Sequence, residues 1–417
     1  MAHERPFPAL DLRDEFPALA AAGDFVFFDN AAGAQVPQRV IDAVTDHLRA
    51  RNVQRGGPYR HSREVDSIVR TARASVAAFV NASGPDEIAF GLNATSFIRT
   101  ISLAVGQTLR GRPEIVVSEL DHEANVATWL ALEAMGATIR WWRVGDDGRL
   151  HVEDLDALVS ERTRVVACTL ASNATGSLVD VTGVAARAHR VGADVFVDAV
   201  HFSPHGAIDV RALDCDYLVC SGYKVFSPHM GFAWCRPEAI DRLPTFREAF
   251  IPDAMPEKLE AGTFAYESVA GMDAAVRYLE DVGARVLEPA PRSRTATLHE
   301  TMRAIAAYER TLSSALLDAV EAVSGASVHG VTDRTRLAER VPTVTFTVEG
   351  VGAPALAYAL AAEDIGVRSG HMYSPRLMAR LGLADVGAVR ASLVHYNTED
   401  EIARFGERLA GVVAELR

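Results

Sequence analysis

The chain has 417 residues, 49% of them hydrophobic and 23% charged. This is ordinary globular composition with ample length for a buried core, and it argues against disordered, collagen-like and disulfide-scaffold classes. The formal net charge of −13 repels phosphate backbones and anionic lipid surfaces, which argues against general nucleic-acid binding and a polybasic membrane anchor.

The first residues, MAHERPFPALDLRDEFP, are charged and proline-broken, with no apolar h-region. No run of 18 uninterrupted apolar residues follows. The four cysteines, Cys168, Cys215, Cys220 and Cys235, form no CxxC pair, so they read as buried, reduced thiols of a cytoplasmic protein.

From about residue 25 to 235, short apolar runs alternate with helical patterns. Glu87–Phe90 reads as a strand, Gly91–Ser96 as a turn and Ser96–Leu109 as a helix. EIVVSEL, TRVVACTL, ADVFVDAV and CDYLVCS read as strands buried on both faces, and Trp141–Val144 and Phe232–Arg236 as further strands. Between them, Ala124–Met135, Val152–Ser160 and Val181–Val191 look helical. Such alternation predicts a mainly parallel sheet covered by helices.

The pattern changes after residue 270. Ala270–Leu287 and Arg292–Ser324 read as helices. They are followed by a strand at Thr343–Val348, a helix at Ala353–Asp364, an irregular segment at Arg368–Arg376 and a strand at Val389–Leu393. Thr398, followed by acidic residues, caps a terminal helix. The reading is a large domain over residues 25–270 and a small α+β domain built from residues 1–24 and 271–417.

Within VFVDAVHFSPHGAIDVRALDCDYLVCSGYK, Asp198 ends one apolar strand and Lys224 follows another. Ligands of open α/β sheets sit at the carboxyl ends of strands, so the acid and the amine converge on one rim. Pyridoxal 5'-phosphate needs such a pair: a lysine for the Schiff base and a carboxylate for the pyridine nitrogen. A buried Asp–Lys salt bridge is the alternative. The chain's use of lysine favours the first reading, because Lys224 and Lys258 are its only lysines among 42 Lys and Arg, and arginine replaces a surface lysine but not a Schiff-base amine. Gly91-Leu92-Asn93-Ala94-Thr95-Ser96 opens a helix and offers a phosphate cradle, or else a plain N-cap by Thr95 or Ser96.

These motifs, in this order, resemble the class V aminotransferases of PLP fold type I, in their cysteine desulfurase-like branch. The likeness runs from FFDNAAGAQVP (Phe27–Pro37) to RASLVHYNTEDEIARF (Arg390–Phe405). It implies a large domain with a mainly parallel seven-stranded sheet, a small C-terminal domain and a homodimer with shared sites. Lys224 in SGYK would be the Schiff-base lysine and general base, Asp198 in DAVH the partner of the ring nitrogen, and His122 in DHEAN the residue stacked on the ring. Asn173 in ASNATGS would lie near ring and substrate. Thr95, Ser96 and Ser221 would hold the phosphate, with Thr263 in EAGTFAYE reaching the neighbouring subunit's phosphate. Arg390 would clamp the substrate carboxylate.

The departures are informative. Tyr373, in Arg368-Ser369-Gly370-His371-Met372-Tyr373, stands where related desulfurases carry their loop cysteine. His201 replaces a glutamine that donates to the ring oxygen, and Tyr223 replaces a histidine. Without a loop thiolate the persulfide step has no nucleophile. The implied activity is therefore a C–S lyase acting on an amino acid through an external aldimine, without an enzyme persulfide. A class V aminotransferase or epimerase, and a decarboxylative carbon–carbon bond-forming enzyme, are the alternatives. His371, Tyr373 and Arg55, the last in the basic segment Arg51–Arg63, are the candidate substrate contacts.

Two motifs are set aside. Gly350-Val351-Gly352-Ala353-Pro354-Ala355 fits a dinucleotide fingerprint but lacks the βαβ unit that would give it meaning. His201 and His205 have no clear third ligand for a metal, so the expectation is no metal.

Overall fold

The structure is a computed structural model that describes residues 7–289, 291 and 293–417. A short strand, β1 (Val26–Phe27), precedes seven strands of the large sheet: β2 (Ile88–Gly91), β3 (Glu114–Ser118), β4 (Thr138–Trp142), β5 (Thr163–Thr169), β6 (Asp194–Asp198), β7 (Tyr217–Ser221) and β8 (Gly231–Cys235). Then come β9 (Ala326–His329), β10 (Thr343–Val348), β11 (Ile365–Gly366), β12 (Arg368–Gly370) and β13 (Ala388–Ser392). The large sheet has the order β2-β8-β7-β6-β5-β3-β4, with β8 antiparallel to both neighbours and every other pairing parallel. A four-stranded antiparallel sheet has the order β12-β13-β10-β9. Thus the fold is the expected α/β architecture, a seven-stranded sheet with a C-terminal antiparallel one.

Strands β3, β5, β6, β7 and β8 are buried along their whole length, as helices on both faces require. Successive side chains point to opposite faces. On β3, Val116 joins one core with Val69, Val76 and Leu279, while Ile115 and Val117 join a second with Phe97, Ile101 and Trp129. A third core, with Phe28, Leu316, Phe346 and Phe405, lies on the small sheet.

Several elements differ from their sequence reading. The first sheet helix starts at Ala94, and its N-cap is Asn93 rather than Thr95 or Ser96: the Asn93 carboxamide accepts the Ser96 amide, and Ser96 Oγ accepts the Asn93 amide in return. Ala124–Met135 divides into an α-helix (Ala124–Leu130) and a 3-10 turn (Ala131–Met135), closed by Gly136 at φ +94°. Val152–Ala157 is 3-10 rather than α; Leu155 is its one buried residue, too little to anchor a helix face. Strand β4 begins at Thr138, three residues early, because it is an edge strand whose exposed positions hide the apolar signal. Helix Tyr266–Val286 begins a turn before Ala270. Helix Arg294–Glu321 is capped by Ser293, and the Arg292 start expected for it lies outside the described residues. The segment expected to be irregular contains β12 and a short helix, Pro375–Arg380. Strand β9 and the two-residue parallel pair β1–β11 were not foreseen.

The glycine pair before Ala353 forms a turn into helix Ala353–Ala362, with Pro354 in its first turn. The next strand, β11, pairs with β1 rather than β10, so no dinucleotide unit forms. Among the described residues, no helix is long and apolar enough to cross a membrane, and no group of three or more His, Cys, Asp or Glu is placed to hold a metal ion.

Candidate active site

The carboxyl ends of the parallel strands meet in one cavity, lined among others by His122, Asn173, Asp198, His201, Tyr223 and Lys224. Each comes from a strand end: His122 after β3, Asn173 after β5, Asp198 at the tip of β6, and Lys224 in the 3-10 turn after β7. Ala94 and Thr95 close one wall. There the Ala94 amide donates to Ser221 Oγ at 3.0 Å, tying the helix N-terminus to the end of β7.

Burial governs the electrostatics. Lys224 is 6% exposed, and burial together with the Arg390 charge draws its ammonium down to about 8, against the pull of Asp198. Burial pushes the Asp198 carboxyl up, opposed by the Val200 amide, which donates to Oδ1 at 2.9 Å, and by Lys224. His122 falls to about 4 through burial, Lys224 and Arg390. Its Nδ1 accepts the Ala124 amide at 3.0 Å, so a neutral ring carries its proton on Nε2. His201 is held well below the histidine range by burial, then by His205, Lys224 and Arg390. Its Nε2 meets Thr343 Oγ1 at 3.0 Å, while its buried Nδ1 has no hydrogen-bond partner among the described residues.

Arg390, on β13, is 2% exposed. Its Nη1 donates to the Asn173 carbonyl at 2.8 Å and its Nη2 to Asp29 Oδ1 at 3.1 Å, leaving Nε without a partner among the described residues. Asp29 also accepts three hydrogen bonds from Arg368, the shortest 2.6 Å. One carboxylate thus orients two guanidinium groups at the seam between the sheets. Neither Asp29 nor Arg368 was picked out as a site residue from the sequence, although each lies in a segment that carries the resemblance.

The loop carrying Tyr373 is latched. Asn173 Nδ2 donates to the Met372 carbonyl at 2.6 Å, and Ser374 Oγ donates to Asn173 Oδ1 at 2.9 Å. Both ends of the Asn173 side chain therefore hold this loop. Met372 and Tyr373 adopt left-handed φ of +53° and +58°, a conformation held against its cost by the surrounding contacts. The Tyr373 ring lies 5.8 Å from the His122 ring. The His371 Nδ1 accepts the Tyr373 amide at 3.0 Å, and its side chain is exposed.

Other candidates stand apart. Ser96 Oγ donates to the Asn93 carbonyl at 2.6 Å within the cap, and Ser96 does not line the cavity. Thr263 and Arg55 are not among the residues that line the cavity. Gln54 donates to Thr263 Oγ1 at 3.4 Å, and Arg55 lies 3.7 Å from both Asp66 and Glu257. A second buried acid, Asp121, was also not foreseen. Burial raises it to about 7 against hydrogen bonds from Ser118 and Asn125. All four cysteines are buried and free.

The family profile "Aminotransferase class-V" matches residues 26–405. An aminotransferase-like protein of Gibberella zeae is 35% identical over 95% of this chain and 96% of its own. A probable cysteine desulfurase of Mycobacterium leprae is 32% identical over 99% of this chain and 97% of its own. The crystal structure of the Escherichia coli cysteine desulfurase CsdA superposes with a TM-score of 0.85 at 26% identity, covering 99% of this chain and 100% of that one.

Proposed function

Because the chain belongs to the class V aminotransferase family and is a PLP-dependent enzyme of fold type I, we propose that it is a C–S lyase of the desulfurase-like branch that forms no enzyme persulfide. One observation carries this reading: Tyr373 occupies the latched loop facing His122, and every cysteine is buried. Burial pushes the Cys220 thiol up to about 12, so it supplies no thiolate at neutral pH.

The donor set supports pyridoxal phosphate in the Lys224 cavity. It offers a buried amine, a buried carboxylate whose raised pKa a neighbouring cation would relieve, an unpartnered imidazole nitrogen and a helix N-terminus. When bound, the cofactor supplies an electron sink for the pair released at the substrate Cα. Lys224, with its ammonium drawn down to about 8, takes and returns the Cα proton through Nζ. The unpartnered Nε of Arg390, beside Nη2, receives the substrate carboxylate. Asp198 holds the ring nitrogen, and His122 and Tyr373 close the site over it. Thr95, Ser221 and the amides around them take the phosphate.

A homodimer in which the exposed Thr263 and the half-buried Arg55 serve the neighbouring site is part of this proposal. Four free cysteines agree with a reducing, cytoplasmic setting. The aminotransferase-like relative of Gibberella zeae supports transamination as the second reading.

Incubating the loaded enzyme with cysteine, aspartate and alanine in D₂O separates the two. A lyase releases keto acid, ammonia and a sulfur product while the cofactor absorbance persists. Loss of that absorbance to the amine form of the cofactor, with no sulfur released, would overturn the lyase reading in favour of transamination.

A further inference from the structure

We infer that Thr343, on the small sheet, is a positioning residue that fixes which nitrogen of His201 carries the proton, and so makes His201 a hydrogen-bond donor into the Lys224 cavity. The inference rests on the proposed seating of the cofactor in that cavity.

The argument begins with the hydroxyl. Thr343 is 0% exposed, and among the described residues its Oγ1 has one hydrogen-bond partner, His201 Nε2 at 3.0 Å. A hydroxyl hydrogen needs an acceptor when buried, and leaving it without one costs more than the hydrogen bond itself is worth. If Nε2–H donated to Oγ1, the hydroxyl hydrogen would have nowhere to go. If Oγ1–H donates to Nε2, the hydroxyl is satisfied, and the one hydrogen still without an acceptor sits on Nδ1 of a residue that lines the cavity, where a ligand oxygen can take it. A neutral imidazole that accepts at Nε2 carries its hydrogen on Nδ1. Burial and the neighbouring charges of His205, Lys224 and Arg390 hold His201 neutral. Nδ1 is the buried atom left without a partner, on a residue that lines the cavity with Lys224 and Asp198. A buried N–H without an acceptor awaits one from the ligand, and an oxygen of the bound cofactor supplies it.

The backbone holds Thr343 in place. Gly176, at φ +77°, lets the two segments touch: a Cβ there would lie 2.6 Å from the Thr343 carbonyl oxygen and 2.8 Å from that of Val341. Arg340 Nη2 donates to the Thr343 carbonyl at 2.6 Å. Behind His201, the His205 ring lies 5.3 Å away and is anchored by Glu309 Oε2 at 2.8 Å from its Nδ1. The imidazole of His201 is thus fixed on both sides.

The test is the ¹⁵N spectrum of ring-labelled histidine in the cofactor-free protein, with His201→Asn used to assign the signals. The wild type and Thr343→Ser should show one neutral His201 species protonated at Nδ1. Thr343→Val should show a mixture of tautomers, and its cofactor affinity should fall by the reciprocal of the fraction still protonated at Nδ1, about twofold for an even mixture. A wild-type His201 protonated at Nε2 would overturn the inference without any variant. Equal behaviour of the Ser and Val variants would also overturn it, because shape alone would then explain the contact. Failure of the cavity assignment is distinguishable: Lys224→Ala would keep the visible absorbance of the lysine-bound cofactor, while the tautomer would still read out in the cofactor-free protein.

Discussion

At the scale of single residues, the site works by desolvation. Lys224 has an ordinary value of 10.5 that falls to about 8, so the folded protein binds its proton less tightly than the unfolded chain does. Lys224 therefore contributes instability below about pH 8, and that penalty is relieved as pH rises toward 10.5. The same shift sets its reactivity, because only the neutral amine attacks a carbonyl. Cofactor capture by the cofactor-free protein should speed up through about pH 8 and level off above it, measured by stopped-flow absorbance. Replacing Arg390, the second cause of the shift, with Gln should move the midpoint upward. A profile that still rises at pH 10 in the wild type would contradict a depressed lysine. The sequence exposed this residue because arginine had replaced nearly every other lysine. Asp29 and Asp121 gave no comparable signal, since carboxylates are common in this chain and only the fold shows that Asp29 pairs with Arg390 and that Asp121 is buried.

At the scale of elements, the phosphate-side wall depends on one cap. Asn93 Oδ1 accepts the Ser96 amide at 2.9 Å, leaving the first turn of helix Ala94–Gly106 facing Ser221. Asn93→Ala removes this cap and should cost about 0.5–2 kcal/mol in urea unfolding of the cofactor-free protein, together with weaker cofactor binding. Thr95→Ala should spare stability and weaken the cofactor alone. Equal unfolding midpoints for Asn93→Ala and the wild type would reject the capping role. Long apolar strands and the terminal helix at Thr398 were legible because burial on both faces and a capping box leave local patterns. Strand β9 and the early start of β4 were not, because edge strands alternate with exposed positions and carry a weaker apolar signal. The loop at Met372 and Tyr373 was legible as a functional segment, but its latch to Asn173 is a contact across 200 residues that no local pattern encodes.

At the scale of the whole molecule, the two sheets meet along one seam, and the site lies on it. The segment after β5 carries this seam. Thr345 Oγ1 donates to the Ala174 carbonyl at 2.7 Å, the Val341 amide to the Gly176 carbonyl at 3.0 Å, and the Leu178 amide to the Glu339 carbonyl at 2.9 Å. Arg390 and Ser374 close on Asn173 from the same side. The hydrogen bonds are nearly all buried, so breaking the seam strands polar groups on both sheets, and the sheets should lose structure together. The four tryptophans, Trp129, Trp141, Trp142 and Trp234, all lie on or against the large sheet, so fluorescence follows mainly that sheet. Hydrogen exchange in peptides spanning β10 and β13 follows the other. In urea the two signals should change at one midpoint in the wild type, and Thr345→Val should separate them, with β10 opening first. Early loss of protection in β10 and β13 of the wild type would mean that the small sheet is held by its own core, and that the seam orients the site without coupling the stability of the two sheets.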